Sequence, residues 1–201
     1  MGMGYPKIGK SRMEAFSDGI LAIIITVMVL ELKVPHVDNF SALVGLSPVF
    51  LSYVLSFVYI AIYWNNHHHM LHTCQYVSPG ILWANLHLLF WLSLIPFTTS
   101  WMGENHFSTL PTQVYGFVLF MAGAAYYILA RMIIVSQGPD SILKKAIGND
   151  WKGKVSPTLY LFAIVLGYWT PLMALLIFSG VALMWIVPDP RIGKLYHTSQ
   201  H

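Results

Sequence analysis

The sequence predicts an all-α integral membrane protein, and three observations predict it. Of its 201 residues, 56% are hydrophobic and only 9% are charged, where a soluble domain carries about 25% charged residues. The mean hydropathy is +0.62, and the apolar residues gather into runs of the roughly 20 helical residues that cross a hydrocarbon core. The lysines and arginines flank these runs instead of interrupting them. A chain so poor in charge exposes most of its surface to lipid, and its length leaves room for one polytopic domain over residues 1–201.

Six runs qualify as spanning helices. The first covers 12–32, with Ser11 and Glu14 spaced as a capping box at its start. The second covers 47–71 and opens with Pro48 in its first turn. The third covers 81–101, behind Pro79 and Gly80, and Pro96 should kink it. The fourth covers 112–135. A polar segment from Gln137 to Lys154 reads as a solvated cytoplasmic loop. The apolar stretch from Val155 to Val187 is too long for one crossing and is interrupted at Gly167–Pro171. Proline at a helix start predicts a reversal between a short fifth helix, 155–168, and a sixth, 170–187, ended by Pro188 and Pro190.

Charge gives an independent check. With a cytoplasmic N-terminus and six spans, Lys7, Lys10, Arg12, Arg131, Lys144, Lys145, Lys152, Lys154, Arg191 and Lys194 fall inside, and of the 11 basic residues only Lys33 falls outside. That asymmetry satisfies the positive-inside rule. It predicts a multi-pass protein of the cell membrane with both termini cytoplasmic. The net charge of +3 is dispersed at helix ends, without the basic, aromatic-interleaved stripe that nucleic-acid binding uses, so no nucleic-acid partner is expected. The single cysteine, Cys74, excludes an intrachain disulfide. Residues 2–12 resemble a signal n-region, but the apolar run behind them is too long and lacks a small-residue exit.

Ionisable residues inside a membrane cost roughly 2.5–3.5 kcal/mol at a helix centre and mark function by default. Arg12, Glu14 and Asp18 stand in the first turns of the first helix. Glu14 complements the helix dipole, but Asp18 lies about 10 Å in, beyond the reach of that effect, and so should have a specific partner. On a wheel stepped about 100° per residue, Val27 and Leu30 fall within about 40° of Ile23, and Thr26 about 60° to one side. Ser17 and Asp18 fall more than 100° away. One face is therefore an aliphatic column with a hydroxyl beside it, and the polar motif points toward neighbouring helices. Taken alone, the column also fits ordinary packing or lipid contact. Arg12 returns to the Ile23 direction at the cytoplasmic mouth, where it either pairs with an acidic residue of a neighbour or shapes the local potential.

The segment Arg12-x-x-x-Phe16-Ser17-Asp18, followed by Ile23, Thr26 and Leu30 in their apolar run, resembles the signature helix of the transmembrane-protein-175 family of potassium channels. Trp64-Asn-Asn-His67-His68 and, in the third helix, Asn85 with Leu94-Ile-Pro96-Phe-Thr98 extend the resemblance over roughly the first half of the chain. It implies a homotetramer in the lipid bilayer, since this chain has one six-helix repeat, with four copies of the first helix lining a central pore for potassium ions. It implies a hydrophobic gate of Ile23, Val27 and Leu30, selectivity from Thr26 with moderate preference for K+ over Na+, and leak-like conduction. Ser17 and Asp18 would bond to Trp64 and to His67 or His68, bracing the pore helix. No enzymatic activity, cofactor or resident metal is implied.

Other features were open to different chemistry. His67-His68-His69-Met-Leu-His72 could serve a membrane-embedded, metal-dependent oxidoreductase, although the remaining histidines are scattered singly. A proton-coupled transporter is a further alternative, supported only by the break at Gly167–Pro171. Ser52, Ser56, Tyr59 and Tyr63 recur on one face of the second helix and read as helix packing, and His87 as a satisfied interior histidine.

Overall fold

The protein is described by a computed structural model covering residues 9–138, 141–148 and 150–186. The expectations resting on Lys7, Val187, Pro188, Pro190, Arg191 and Lys194 lie outside these residues. Among the described residues the elements are α1 (Lys10–Leu30), α2 (Phe40–Gly45), α3 (Ser47–His72), α4 (Pro79–Ser93), α5 (Ile95–Glu104), α6 (Thr109–Gln137), α7 (Ile142–Ile147), α8 (Trp151–Leu166) and α9 (Pro171–Ile186). Four stretches are long and apolar enough to cross a membrane: α1, α3, α4 with α5 taken together, and α6. The α8–α9 hairpin adds two helices of 16 residues each.

Local chemistry sets most boundaries. Ser78 caps α4 by accepting from the Ile81 amide, and Pro79 sits where a missing N–H costs nothing. The kink expected at Pro96 is a break at Leu94, which separates α4 from α5. Pro171 opens α9 after the turn at residues 167–170. Two expectations need correction. Ser11 does not cap α1, because the helix has already begun at Lys10 with Gly9 as its N-cap, and Glu14 instead faces Lys10 at 3.8 Å. The segment 137–154 is not all solvated loop either. It holds α7, capped by Ser141, with Leu143 buried, and α8 starts inside it at Trp151, capped by Asp150.

Chain neighbours run antiparallel. At the end of the bundle where α1 begins, Lys10 Nζ donates to the His72 carbonyl at 2.9 Å, and the Tyr76 hydroxyl donates to the Ser136 carbonyl. At the opposite end Lys33 Nζ donates to Glu104 at 2.5 Å, Ser100 Oγ to Glu31 at 3.3 Å, and Gln113 to the Ile164 carbonyl at 3.1 Å. Glu104, by hydrogen bond and charge, holds the Lys33 ammonium above its ordinary pKa.

The core sits among α3, α4, α5, α6, α8 and α9. Burying a hydroxyl in an apolar interior is costly unless it is bonded, and α3 meets that demand along one face. Ser56 Oγ bonds Thr99 Oγ1 at 2.6 Å and the Tyr115 hydroxyl at 3.0 Å, while the Tyr59 hydroxyl donates to the Phe178 carbonyl at 2.7 Å. The face read as packing is buried at Ser52, Ser56, Tyr59 and Tyr63. Two glycines set helix separations. A Cβ on Gly103 would stand 2.7 Å from the Val49 Cα, and one on Gly116 would stand 2.5 Å from the Phe178 ring. His87 departs from its expectation: it is half-buried on α4, where its Nε2 accepts the Trp91 indole N–H at 3.0 Å.

Candidate pore helix and its anchor

The apolar residues of α1 recur so that one face can be covered and the other not. Met13, Ser17, Leu21, Ile24 and Met28 are buried, and their spacing of three or four residues keeps them on one side. That side packs on α3, α4 and α5. The other side carries Phe16, Ile23, Val27 and Leu30, with Ile23 62% and Leu30 79% exposed. Thr26 is also exposed, and its hydroxyl donates to the Ile23 carbonyl at 2.8 Å. With its proton committed to the helix, Thr26 Oγ1 presents lone pairs outward. Beside the Ile23 column, between α1 and α4–α5, runs a groove of about 590 Å³ lined by Ile20, Ile23, Val27, Pro96, Phe97 and Trp101, with Glu31 and Glu104 toward the end where α1 stops.

The covered side of α1 is held by a polar relay. Asn85 Nδ2 on α4 donates to Ser17 Oγ at 2.9 Å, and Ser17 Oγ donates to the Met13 carbonyl at 2.9 Å. Because the Asn85 amide nitrogen faces Ser17, its Oδ1 faces His67 Nε2 at 2.7 Å and accepts from it. Ser17, His67 and Asn85 are all buried. Nearer the surface, Trp64 Nε1 donates to Asp18 Oδ1 at 3.1 Å. The direct bond expected between Ser17 and a histidine is therefore replaced by a bond through Asn85. The amide spans the gap because it donates and accepts on opposite sides. His67 is the histidine in the relay. His68, about 100° further round the helix, turns outward and stacks between Trp64 and His72 at ring separations of 6.2 and 6.3 Å. The partner of Asp18, Trp64, is half-exposed, not deeply buried.

Asn85 is the anchoring residue that residue-type reasoning undervalued. Its signal was available: an amide in the otherwise apolar stretch from Ile81 to Leu86 needs partners inside the bundle. Arg12 is exposed, and among the described residues neither an ion pair nor a hydrogen bond engages its guanidinium. The histidine run does not converge, since His67 faces inward and His68 outward. Among the described residues no group of three or more His, Cys, Asp or Glu side chains is placed to hold a metal ion.

The sequence profile of the family described as endosomal/lysosomal potassium channel TMEM175 matches residues 12–96, the stretch that holds α1, the anchor and the α4–α5 break. A potassium channel of Chryseobacterium sp. (strain P1-3) is 50% identical over 185 residues, covering 92% of this chain and 96% of its own. A potassium channel of Chamaesiphon minutus is 37% identical over 99 residues, covering 46% of this chain and 49% of its own. In three dimensions the chain is similar to the crystal structure of a lysosomal potassium-selective channel TMEM175 homolog from Chamaesiphon minutus. The TM-score is 0.76 at 26% identity, covering 89% of this chain and 96% of that one. Identity of one residue in two along nearly the full length of a bacterial potassium channel, together with the profile match over residues 12–96, places the chain in the TMEM175 family of potassium channels.

Proposed function

We propose that the protein is a potassium channel, not an enzyme, in which four copies of α1 surround a central pore and close it with a ring of Ile23 side chains. The observation that carries this reading is the face of α1 that the chain leaves uncovered. It bears the Ile23, Val27 and Leu30 column with a hydroxyl beside it, while the other face is fixed to the bundle by hydrogen bonds. Four such faces brought together make an apolar constriction, which excludes water and so stops ions without a charged gate. Thr26, less than one turn outward from Ile23, replaces part of the hydration shell of a passing ion through its outward lone pairs. Side-chain hydroxyls define a looser cage than backbone carbonyls, so the preference for K+ over Na+ is moderate and conduction is leak-like.

In this reading the chain crosses the cell membrane six times with both termini cytoplasmic. At about 1.5 Å per residue, α8 and α9 are each some 24 Å long, slightly short of a hydrocarbon core of about 30 Å. Tyr168 and Trp169, both exposed at their shared outer end, anchor the hairpin at the headgroup layer, and local thinning absorbs a mismatch of that size. Trp64–Asp18 and His67–Asn85–Ser17 act as a brace that sets the rotation of α1. The alternatives of a metal-dependent oxidoreductase or a proton-coupled transporter find no support in relatives that are named potassium channels.

The test is potassium flux into proteoliposomes that contain the full chain. Wild type is expected to carry a slow K+ flux, and Ile23→Ala a severalfold faster one, because shortening four side chains rehydrates the constriction. An Ile23→Ala flux equal to wild type would remove Ile23 from the gate. Absence of K+ flux from both would remove the channel itself.

A further inference from the structure

Arg12 has no evident structural duty in the subunit. It is the third residue of α1, where the positive end of the helix dipole disfavours a cation. Its anionic neighbours are engaged elsewhere. Glu14 faces Lys10 at 3.8 Å, Lys10 also reaches the His72 carbonyl, and Asp18 receives the Trp64 indole. The Arg12 side chain is exposed, and at about 100° per residue it lies within about 20° of Ile23, on the line of Phe16 and Leu30. Eleven residues separate it from Ile23, a rise of about 16 Å toward the inner end. Lys144 and Lys145 on α7 and Lys152 and Lys154 on α8 add to the positive charge of that end. At the outer end Glu104 pairs with the single lysine, Lys33, and Glu31 accepts from Ser100 next to Leu30.

We infer that Arg12 from each of four copies forms a cationic ring around the inner mouth of the pore, which thins K+ there and makes outward conduction harder than inward. The inference rests on the tetramer with α1 at its centre proposed above. Its size follows from screened Coulomb interactions. Four unit charges about 8 Å from the axis deplete K+ about three- to fourfold at 0.15 M ionic strength, where the screening length is about 8 Å. Near 0.01 M, where that length is about 30 Å, depletion exceeds about tenfold. At about 16 Å from Ile23 the ring lies roughly two screening lengths from the gate at physiological salt. It therefore acts on the supply of ions and not on the constriction, and the K+ over Na+ preference is untouched.

The test uses inside-out patches from cells expressing the full chain, with K+ and ionic strength varied on the cytoplasmic face. Arg12→Gln is expected to raise outward current about threefold at physiological ionic strength, with inward current and selectivity little changed there, and about tenfold at low ionic strength, while Arg12→Lys behaves as wild type. An Arg12→Gln channel whose outward current is unchanged at both ionic strengths overturns the inference, and so does one in which both directions scale together at physiological ionic strength. Should Arg12→Gln fail to assemble, Arg12→Cys modified in the patch supplies the second reading. The one native thiol, Cys74, is buried, so a cationic thiol reagent is expected to restore low outward current and an anionic one to raise it. Equal currents after the two reagents overturn the inference. A wild-type chain that carries no K+ current overturns the channel reading, and this inference with it, whereas a conducting wild type with charge-insensitive outward current overturns the inference alone.

Discussion

Replacing Asn85 by leucine removes the one side chain that joins α1, α3 and α4 by hydrogen bonds, while nearly preserving volume. Two bonds are lost, to His67 Nε2 at 2.7 Å and to Ser17 Oγ at 2.9 Å. Their consequences differ. Ser17 keeps its donation to the Met13 carbonyl and loses only an incoming bond, worth about 0.6 kcal/mol by the average of measured intramembrane pairs. His67 is buried and is left with a donor facing a methyl group, at a cost of about 1–3 kcal/mol. The sum is about 1.5–3.5 kcal/mol, read as a lowered unfolding midpoint of the purified channel in a fixed detergent by tryptophan fluorescence. His67→Phe alone should cost a comparable amount, because it orphans Asn85 Oδ1. The double variant should cost less than the two singles added, by about 1 kcal/mol or more, since neither orphan remains. Asp18→Asn should cost less than about 1 kcal/mol, because the Trp64 indole it would weaken is half-exposed. A strictly additive cycle between positions 67 and 85 would refute the relay.

Three further outcomes follow from the same geometry. Thr26→Val replaces the hydroxyl by a methyl of equal shape and should bring the K+ to Na+ permeability ratio close to one without abolishing flux, read from bi-ionic reversal potentials. Gly116→Ala places a methyl 2.5 Å from the Phe178 ring and should destabilise by about 1–3 kcal/mol, with Phe178→Leu restoring part of the loss in thermal unfolding. Amide exchange by mass spectrometry in liposomes should be slower over residues 13–21 of α1 than over 23–30, because side-chain hydrogen bonds from α3 and α4 tie residues 13–21 to the bundle, whereas those at the far end reach only Glu31 and Lys33, beyond the helix; equal protection along the helix would contradict that division.

What could be read from the sequence divides along physical lines. Long apolar runs announce themselves because the bilayer demands their length and leaves few other uses for them. The α4–α5 break was legible at Pro96, and the hairpin turn at Pro171, since proline restricts the chain wherever it stands. The six-residue helices α2 and α7 were not legible: two turns carry too little periodicity, and α7 lies among lysines that mimic a loop. The start of α8 was hidden by Lys152, Gly153 and Lys154, although Asp150 was placed to cap it. The Trp64–Asp18 pair could be anticipated because Asp18 stands beyond the first turn of α1, where the helix dipole no longer accounts for a carboxylate, although both side chains turn out to be exposed and not buried. The choice of His67 over His68 could not, because adjacent residues on a helix differ by about 100°, and only the way α3 and α4 both pack on α1 decides which one meets Asn85.

The anchor and the exposed column occupy different angular sectors of one helix and also different heights along it. Ser17 lies six residues before Ile23, about 9 Å lower, so the bonds that fix rotation are made in the inner half and the proposed gate stands in the outer half. A rigid rotation of α1 large enough to carry Ile23 off the pore axis would tear Ser17 from Asn85 and Asp18 from Trp64 together. Tilting the outer half needs neither loss. That half is flanked by the groove of about 590 Å³ and by the break at Leu94, where α5 is free of the backbone ladder of α4. In the proposed tetramer the cheaper opening motion would therefore bend α1 above Ser17 into the groove toward Phe97 and Trp101, widening the proposed ring of Ile23 while leaving the position of Arg12 unchanged.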